Sequence, residues 1–244
     1  MSKVRSIRAP KDLSPKLRGL YERVARQLGV DSLYVSQVAR GERQSALVEN
    51  ALRHELTKIV EQEPSGPNRH EVQFYSDDMV LLDRLVPFVA GARKSGNAAI
   101  IAATKSHRDS LVQRLRSEGL DVDAAIKAGM YVAMDAVDTL SIIMVNDVPE
   151  SARFLKVMGG LIEEVAKTAR NADPRVAFFA ESVSLLWQEG KADAAIRLER
   201  LWNQLTATHD VDILCGYKIG SAHSVEDDHD FKRICAEHSA VYSQ

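Results

Sequence analysis

The chain has 244 residues, 45% of them apolar and 27% charged, with a net charge of −2, a balance that excludes disorder as the main state and supplies core enough for two domains. No stretch approaches the roughly 18 apolar residues of a membrane span, and the basic start MSKVRSIRAP has no apolar segment behind it, so no membrane segment or signal peptide is expected and the chain reads as cytoplasmic. Its cysteines, Cys215 and Cys235, have no C-x-x-C spacing, which removes a disulfide framework and a multi-cysteine zinc site as organising principles.

The charge is unevenly spread. Residues 1–60 carry twelve Lys and Arg against six Asp and Glu, and the remainder carries twenty against twenty-eight, so a polyanion-binding head joined to an acidic body is expected. Ser14 followed by Pro15 opens the first helical pattern, in which Leu13, Leu17, Leu20, Val24 and Leu28 recur at steps of three or four. Residues 24–43 read as two short helices around a turn: Ala25 is small at the crossing, Leu28, Val30, Val35 and Val38 share a core, Gly29 relieves the turn and Gly41 ends the second helix. Leu47, Val48, Ala51, Leu52, Leu56 and Ile59 continue at helical spacing. A helix pair of this kind holds a short helix proud of its domain, where polar side chains can enter a DNA major groove; the spacing also suits a helical hairpin with no DNA role.

The pattern Ala25, Leu28, Gly29, Val30, Val35, Ser36, Val38, Gly41 resembles the lambda-repressor-like (XRE) helix-turn-helix over about residues 12–60. The resemblance implies that Asp31 caps a recognition helix, that Ser32, Leu33, Tyr34 and Gln37 face bases, and that Ser36, Arg40 and Arg43 lie near phosphates. Ala39 replaces a commonly polar or acidic residue of that family, and Tyr21 or Glu22 replaces the glutamine that opens the first helix. Phosphate anchoring is therefore assigned to Arg23, Arg26, Arg40, Arg43 and the arm residues Arg5 and Arg8.

EQEPSGPNR, residues 61–69, gathers two prolines, a glycine, a serine and an asparagine and reads as a linker. The division is thus a helix-turn-helix domain at 1–62, a linker at 63–69 and a second domain at 70–244. Downstream, short apolar runs at Val72–Tyr75, Ala98–Ala103, Met130–Met134, Arg175–Ala180 and Val211–Cys215 alternate with helical stretches at Met79–Lys94, His107–Glu118, Glu150–Arg170 and Lys191–Thr206. That alternation predicts a mostly parallel sheet covered by helices.

The second domain lacks the signatures of the commoner enzymes. Gly91–Gly96 has P-loop glycine spacing, but Asn97 and Ala98 stand where Lys and Ser or Thr would reach phosphate and magnesium, and the stretch closes a helix instead of opening one. No G-x-S-x-G elbow or H-E-x-x-H occurs. Cys215 reads as a packing residue, Trp187 and Trp202 as core aromatics. The run HSVEDDHD, residues 223–230, reads as a solvated region before a helix, and no metal ligand is assigned there. No catalytic residue and no cofactor are assigned.

HEVQFYSDD (His70–Asp78), GNAAIIAATKSH (Gly96–His107), GMYVAMDA (Gly129–Ala136), ESVSLLWQEGKADAAIRLERLWNQL (Glu181–Leu205), CGY (Cys215–Tyr217) and the late His238 together resemble the MEDS (DcmR-type sensory) domain over residues 69–244. The resemblance implies a RecA/KaiC-like three-layer α/β fold without its nucleotide-hydrolysing loop, and a role in sensing small molecules. Ala180 and Ser182 depart from the Gly-Glu-Met commonly found around Glu181. A ligand in such a fold is expected at the carboxyl ends of the strands, which assigns His70, Tyr75, Asp77, Thr104, His107, Asp135, Glu181 and Tyr217 as ligand-binding candidates. Asp77 and Asp135 could equally cap or close turns, and the two tyrosines could be core rings. Glu181 stands out because a carboxylate directly after AFFA is costly to bury without a partner.

The expectation is therefore a ligand-responsive transcriptional regulator acting on a double-stranded DNA operator with an unidentified small-molecule effector, as a homodimer or higher homo-oligomer. The alternative is a signalling module whose helical domain mediates dimerisation or partner docking.

Overall fold

The computed structural model describes residues 20–40, 42–52, 68–219 and 229–243. The chain divides into two compact units, Met1–Gly66 and Pro67–Gln244. The expected helix start at Ser14 and Pro15, the arm residues Arg5 and Arg8, Gly41, the helix beyond Leu52, most of the linker and the acidic run up to Asp228 lie outside the described residues.

In the first unit, α1 (Leu20–Leu28) buries Leu20, Val24 and Ala25. Gly29, at φ 66°, turns the chain where a side chain would be strained. The Asp31 carboxylate then accepts the Leu33 amide at 2.7 Å and starts α2 (Ser32–Ala39). That helix buries Val35 and Val38, and the helical residues 46–52, here α3, add Val48, Ala51 and Leu52 to the same core.

The second unit starts inside the expected linker. The Asn68 amide donates to the carbonyls of Thr206 and His209, and the Arg69 amide to Asp212. These two residues are thus docked, Asn68 through its side-chain Nδ2 and Arg69 through the backbone amide that leads into the first strand. The elements that follow are β1 (His70–Tyr75), α4 (Asp78–Lys94), β2 (Ala98–Ala103), α5 (Lys105–Ser117), α6 (Val122–Lys127), β3 (Tyr131–Asp135), α7 (Ala136–Ile143), β4 (Met144–Val145), β5 (Val148–Pro149), α8 (Ser151–Ala166), β6 (Val176–Ala180), α9 (Ser182–Gln188), α10 (Ala192–Thr208), β7 (Val211–Lys218), α11 (His229–Ala236) and β8 (Ala240–Ser243). Among the described residues, six strands form one sheet in the order β3-β2-β6-β7-β1-β8, every neighbouring pair parallel. β4 and β5 form a separate antiparallel hairpin.

Alternation of side chains across the pleat feeds two cores. Val72, Phe74, Ile100, Phe178, Ile213 and Tyr217 pack with residues of α7–α11 on one face. Tyr75, Ile101, Phe179 and Leu214 pack with α4, α5 and α6 on the other. Both faces are covered, which is why the central strands read as unbroken apolar runs. The Gly91–Gly96 stretch closes α4: Gly96 lies at φ 78°, and a Cβ there would sit 2.5 Å from Asn171 Oδ1. No helix among the described residues is long and apolar enough to cross a membrane.

Candidate functional site

Because the strands run parallel, their carboxyl ends meet along one edge of the sheet. β6 ends at Ala180, and Glu181 follows; its amide bonds the Ala102 carbonyl at 2.9 Å, which pins it beside β2. Its side chain does not cap α9 but turns inward. There Oε1 accepts from Tyr75 Oη at 3.1 Å and from His107 Nδ1 at 2.7 Å, while Oε2 accepts the Thr104 amide at 2.8 Å. Four of the expected ligand-binding residues, drawn from β1, the β2–α5 junction, α5 and the end of β6, thus share one buried carboxylate.

This arrangement answers the cost of burying Glu181. Desolvation alone would raise its carboxyl, but the His107 ring, the Thr104 amide and the Tyr75 hydroxyl hold it below its ordinary range. Burial works against charge on His107, yet Glu181 and Asp78 together raise the ring above its ordinary value. Burial and Glu181 push the Tyr75 phenol up. His107 Nε2 lies 3.3 Å from Asp78 Oδ1 but makes no hydrogen bond there. Asp78 in turn pairs with Lys218 at 2.9 Å. A line of alternating charge therefore runs from the buried Glu181 through His107 to half-exposed groups at the sheet edge.

The other candidates fall elsewhere. Asp77 caps α4 through the Met79 amide at 2.8 Å. Asp135 caps α7 through Val137 and accepts from Arg108 Nη1 at 2.9 Å; that guanidinium also holds the carbonyls of Ala103 and Met134 and lowers the Asp135 carboxyl. His70 opens β1, so it lies at the amino end of its strand and not at the carboxyl edge, a correction to its expected place. Tyr217 is near the carboxyl end of β7, but the pleat directs it to the opposite core from Tyr75.

His70 and Tyr217 instead meet around Glu199, a fully buried residue of α10. Tyr217 Oη donates to Glu199 Oε1 at 2.6 Å, and Cys215 Sγ to Oε2 at 3.2 Å. His70 Nε2 and His238 Nε2 lie 3.1 and 3.4 Å from Oε2. Burial would raise the Glu199 carboxyl, and the two rings instead hold it well below its usual range. The Cys215 thiol and Tyr217 phenol are pushed up by burial and by Glu199. Sequence reasoning missed Glu199. The available signal was a carboxylate on the apolar stripe of α10, four residues after Ala195 and three before Trp202.

A cavity of about 360 Å³ opens near the amino ends of β2 and β3, lined by Arg93, Leu115, Val122, Met130, Tyr131 and Arg170 among others. The Tyr131 hydroxyl is buried without a hydrogen bond, and burial pushes it up to about 12. None of the expected ligand residues lines this cavity.

In the helical unit, α2 leaves Leu33 61% exposed and Ser32, Tyr34, Ser36 and Gln37 half-buried, with Arg23, Arg26, Arg40 and Arg43 exposed around it. Arg40 is engaged with Glu42 and, through Nη1, with Ser36 Oγ at 2.7 Å. The Arg43 guanidinium lies over the Tyr34 ring, 5.5 Å from its centre.

The family model described as MEDS, methanogen/methylotroph, DcmR sensory domain, matches residues 69–229. No curated protein matches the chain.

Proposed function

We propose, since this chain belongs to the MEDS family of sensory domains, that it is a ligand-responsive DNA-binding transcriptional regulator. In this reading the α/β unit takes a small molecule without turning it over, and the helical unit reads an operator as part of a homodimer or larger homo-oligomer. The observation that carries the DNA half is the exposed face of α2, a short capped helix seated on its own closed core and flanked by exposed arginines. Useful affinity needs two such heads, because one small head covers a half-site.

For the sensory half, we read the sheet as the RecA/KaiC type stripped of phosphate chemistry. β1 passes into α4 through Ser76 and Asp77, with no glycine, and the Asp77 carboxylate occupies the first-turn amide of α4, so a phosphate there would meet a carboxylate. The effector handle is His107 Nε2, buried at the carboxyl edge without an aligned acceptor. A small molecule offering an acceptor oxygen would take that bond and displace Asp78, and its differential affinity for two pairing geometries would alter operator affinity.

Selection of genomic duplex fragments by the purified full-length protein tests the regulator reading. A shared sequence should be enriched, and Gln37→Ala should relax preference at one base position, costing about 1–3 kcal/mol of discrimination. No enrichment at low ionic strength overturns it. Leu33 and Leu47, 61% and 66% exposed, favour the second reading, in which the helical unit docks a protein; burial of Leu33 in a stable interface between DNA-free copies would decide for that alternative.

A further inference from the structure

We propose that His70, Glu199, Cys215 and His238 form a closed site for one divalent transition-metal ion of the zinc class. Each comes from a different place: the first residue of β1, the middle of α10, the second half of β7 and the stretch between α11 and β8. One ligand atom from each lies within 4.8 Å of all the others. A tetrahedral ion with Zn–N and Zn–O near 2.0–2.2 Å and Zn–S near 2.3 Å requires ligand-to-ligand edges of roughly 3.3–3.8 Å. Glu199 Oε2 is 3.1 Å from His70 Nε2, 3.2 Å from Cys215 Sγ and 3.4 Å from His238 Nε2, and His70 Nε2 is 3.4 Å from Cys215 Sγ. Along these four edges an ion calls for an expansion of only tenths of an ångström, while the edges from His238 to His70 and to Cys215, bounded at 4.8 Å, would close by up to about 1 Å through movement of the His238 ring.

The hydrogen bonds behind the two rings fix where their lone pairs point. Asn203 Nδ2 donates to the Glu237 carbonyl at 3.0 Å and to the Glu237 carboxylate at 3.2 Å, so the amide oxygen of Asn203 faces His70 Nδ1, 2.9 Å away. His70 Nδ1 therefore donates. His238 Nδ1 lies 2.7 Å from the Ile234 carbonyl, which can only accept, so it donates as well. In the neutral rings both Nε2 lone pairs then converge on a carboxylate oxygen, an arrangement that repels unless a cation sits among them. His238 Nε2 has no hydrogen bond although its side chain is wholly buried. Imidazoles held at Nδ1 by an oxygen acceptor and free at Nε2 are the usual outer support of metal-bound histidine.

Charge and ligand softness select the ion. A dication bound by one carboxylate, one thiolate and two neutral imidazoles is electrically neutral, as this wholly buried position requires. Binding breaks the Cys215 S–H bond and releases its proton to solvent, with no change in oxidation state. A thiolate and two imidazoles disfavour calcium and magnesium, and four protein ligands leave no open position for catalysis. The ion would tie α11 and β8 to β1 and α10. This proposal is independent of operator reading.

The competing occupant is a proton, making an imidazolium–carboxylate pair, and metal titration separates the two. Untagged full-length protein, stripped with a chelator, is titrated with Co²⁺ and with Zn²⁺. The expected result is about one equivalent bound below micromolar concentration, a thiolate-to-cobalt charge-transfer band that Zn²⁺ bleaches, loss of the band in Cys215→Ser and its retention in Cys235→Ser. Asn203→Ala should weaken binding about 10–100-fold. Absence of binding at micromolar metal, or a band that survives Cys215→Ser, overturns the proposal. Should Cys215→Ser fail to fold, X-ray absorption at the zinc edge of the wild-type complex decides: one sulfur with three nitrogen or oxygen neighbours supports the site, and a shell without sulfur overturns it.

Discussion

Glu181 makes three side-chain hydrogen bonds inside a buried junction, so removing its charge leaves the His107 ring without its nearest counterion. Glu181→Gln should cost about 3–5 kcal/mol of stability, read as a lowered urea midpoint with the same slope. The pH dependence follows from the two shifts. His107 is raised above 6.5 on folding, so its contribution is complete below that value and fades as pH rises through the raised one; Glu181 is lowered below 4.5, so its contribution is complete above that value and fades as pH falls through the lowered one. The groups facing the ring are Glu181, Asp78 and the Tyr75 hydroxyl's side chain. Wild type should therefore exceed His107→Gln by most between those two values, and the gap should narrow on the alkaline side; a gap that widens with rising pH would refute the ion pair. Tyr75, Thr104, His107 and Glu181 were legible in the sequence because each closes or follows an apolar run, which locates a strand end. His70 was misplaced because it precedes the run Val72–Tyr75 and so opens its strand; Tyr217 does lie near a carboxyl end, but an apolar run does not say which face a position takes; and Glu199 was hidden by the helix around it.

The central strands could be read because burial on both faces makes them continuous apolar segments, and the long helices because each shows a clear periodicity. The elements left unread are short. α6 has six residues, and β4 and β5 have two each. The hairpin did leave a signal: Asn146 and Asp147 both take positive φ, 50° and 62°, the turn chemistry that such two-residue loops demand. β8 has four residues, only partly buried, at the edge beside β1, too brief for alternation to register. Close packing between β6 and β7 gives a sharper test of the sheet. A Cβ on Gly216 would lie 2.9 Å from Phe179 Cζ and 3.4 Å from Leu81 Cδ1. Gly216→Ala should destabilise by about 1–3 kcal/mol through overpacking, lowering the thermal midpoint, whereas Gly190→Ala would meet open space and pay only for its φ of 73°. An unchanged midpoint for Gly216→Ala would mean that Phe179 has room to move.

The change of charge, basic over residues 1–60 and acidic beyond, falls near the boundary between the compact units Met1–Gly66 and Pro67–Gln244; a linker and a charge balance can be read without tertiary information. What composition could not supply is which buried donor is left without an acceptor, the feature on which the proposed effector recognition rests. The proposed operator reading requires the helical unit to neutralise phosphates, and the affinity of the purified protein for the selected duplex as salt is varied tests this most directly. Log affinity should fall linearly with log salt, with a slope of about −0.9 per phosphate neutralised. Arg43→Gln should flatten that slope by about one contact while leaving base preference intact. Binding that ignores salt, or no binding to any duplex at low ionic strength, would contradict it.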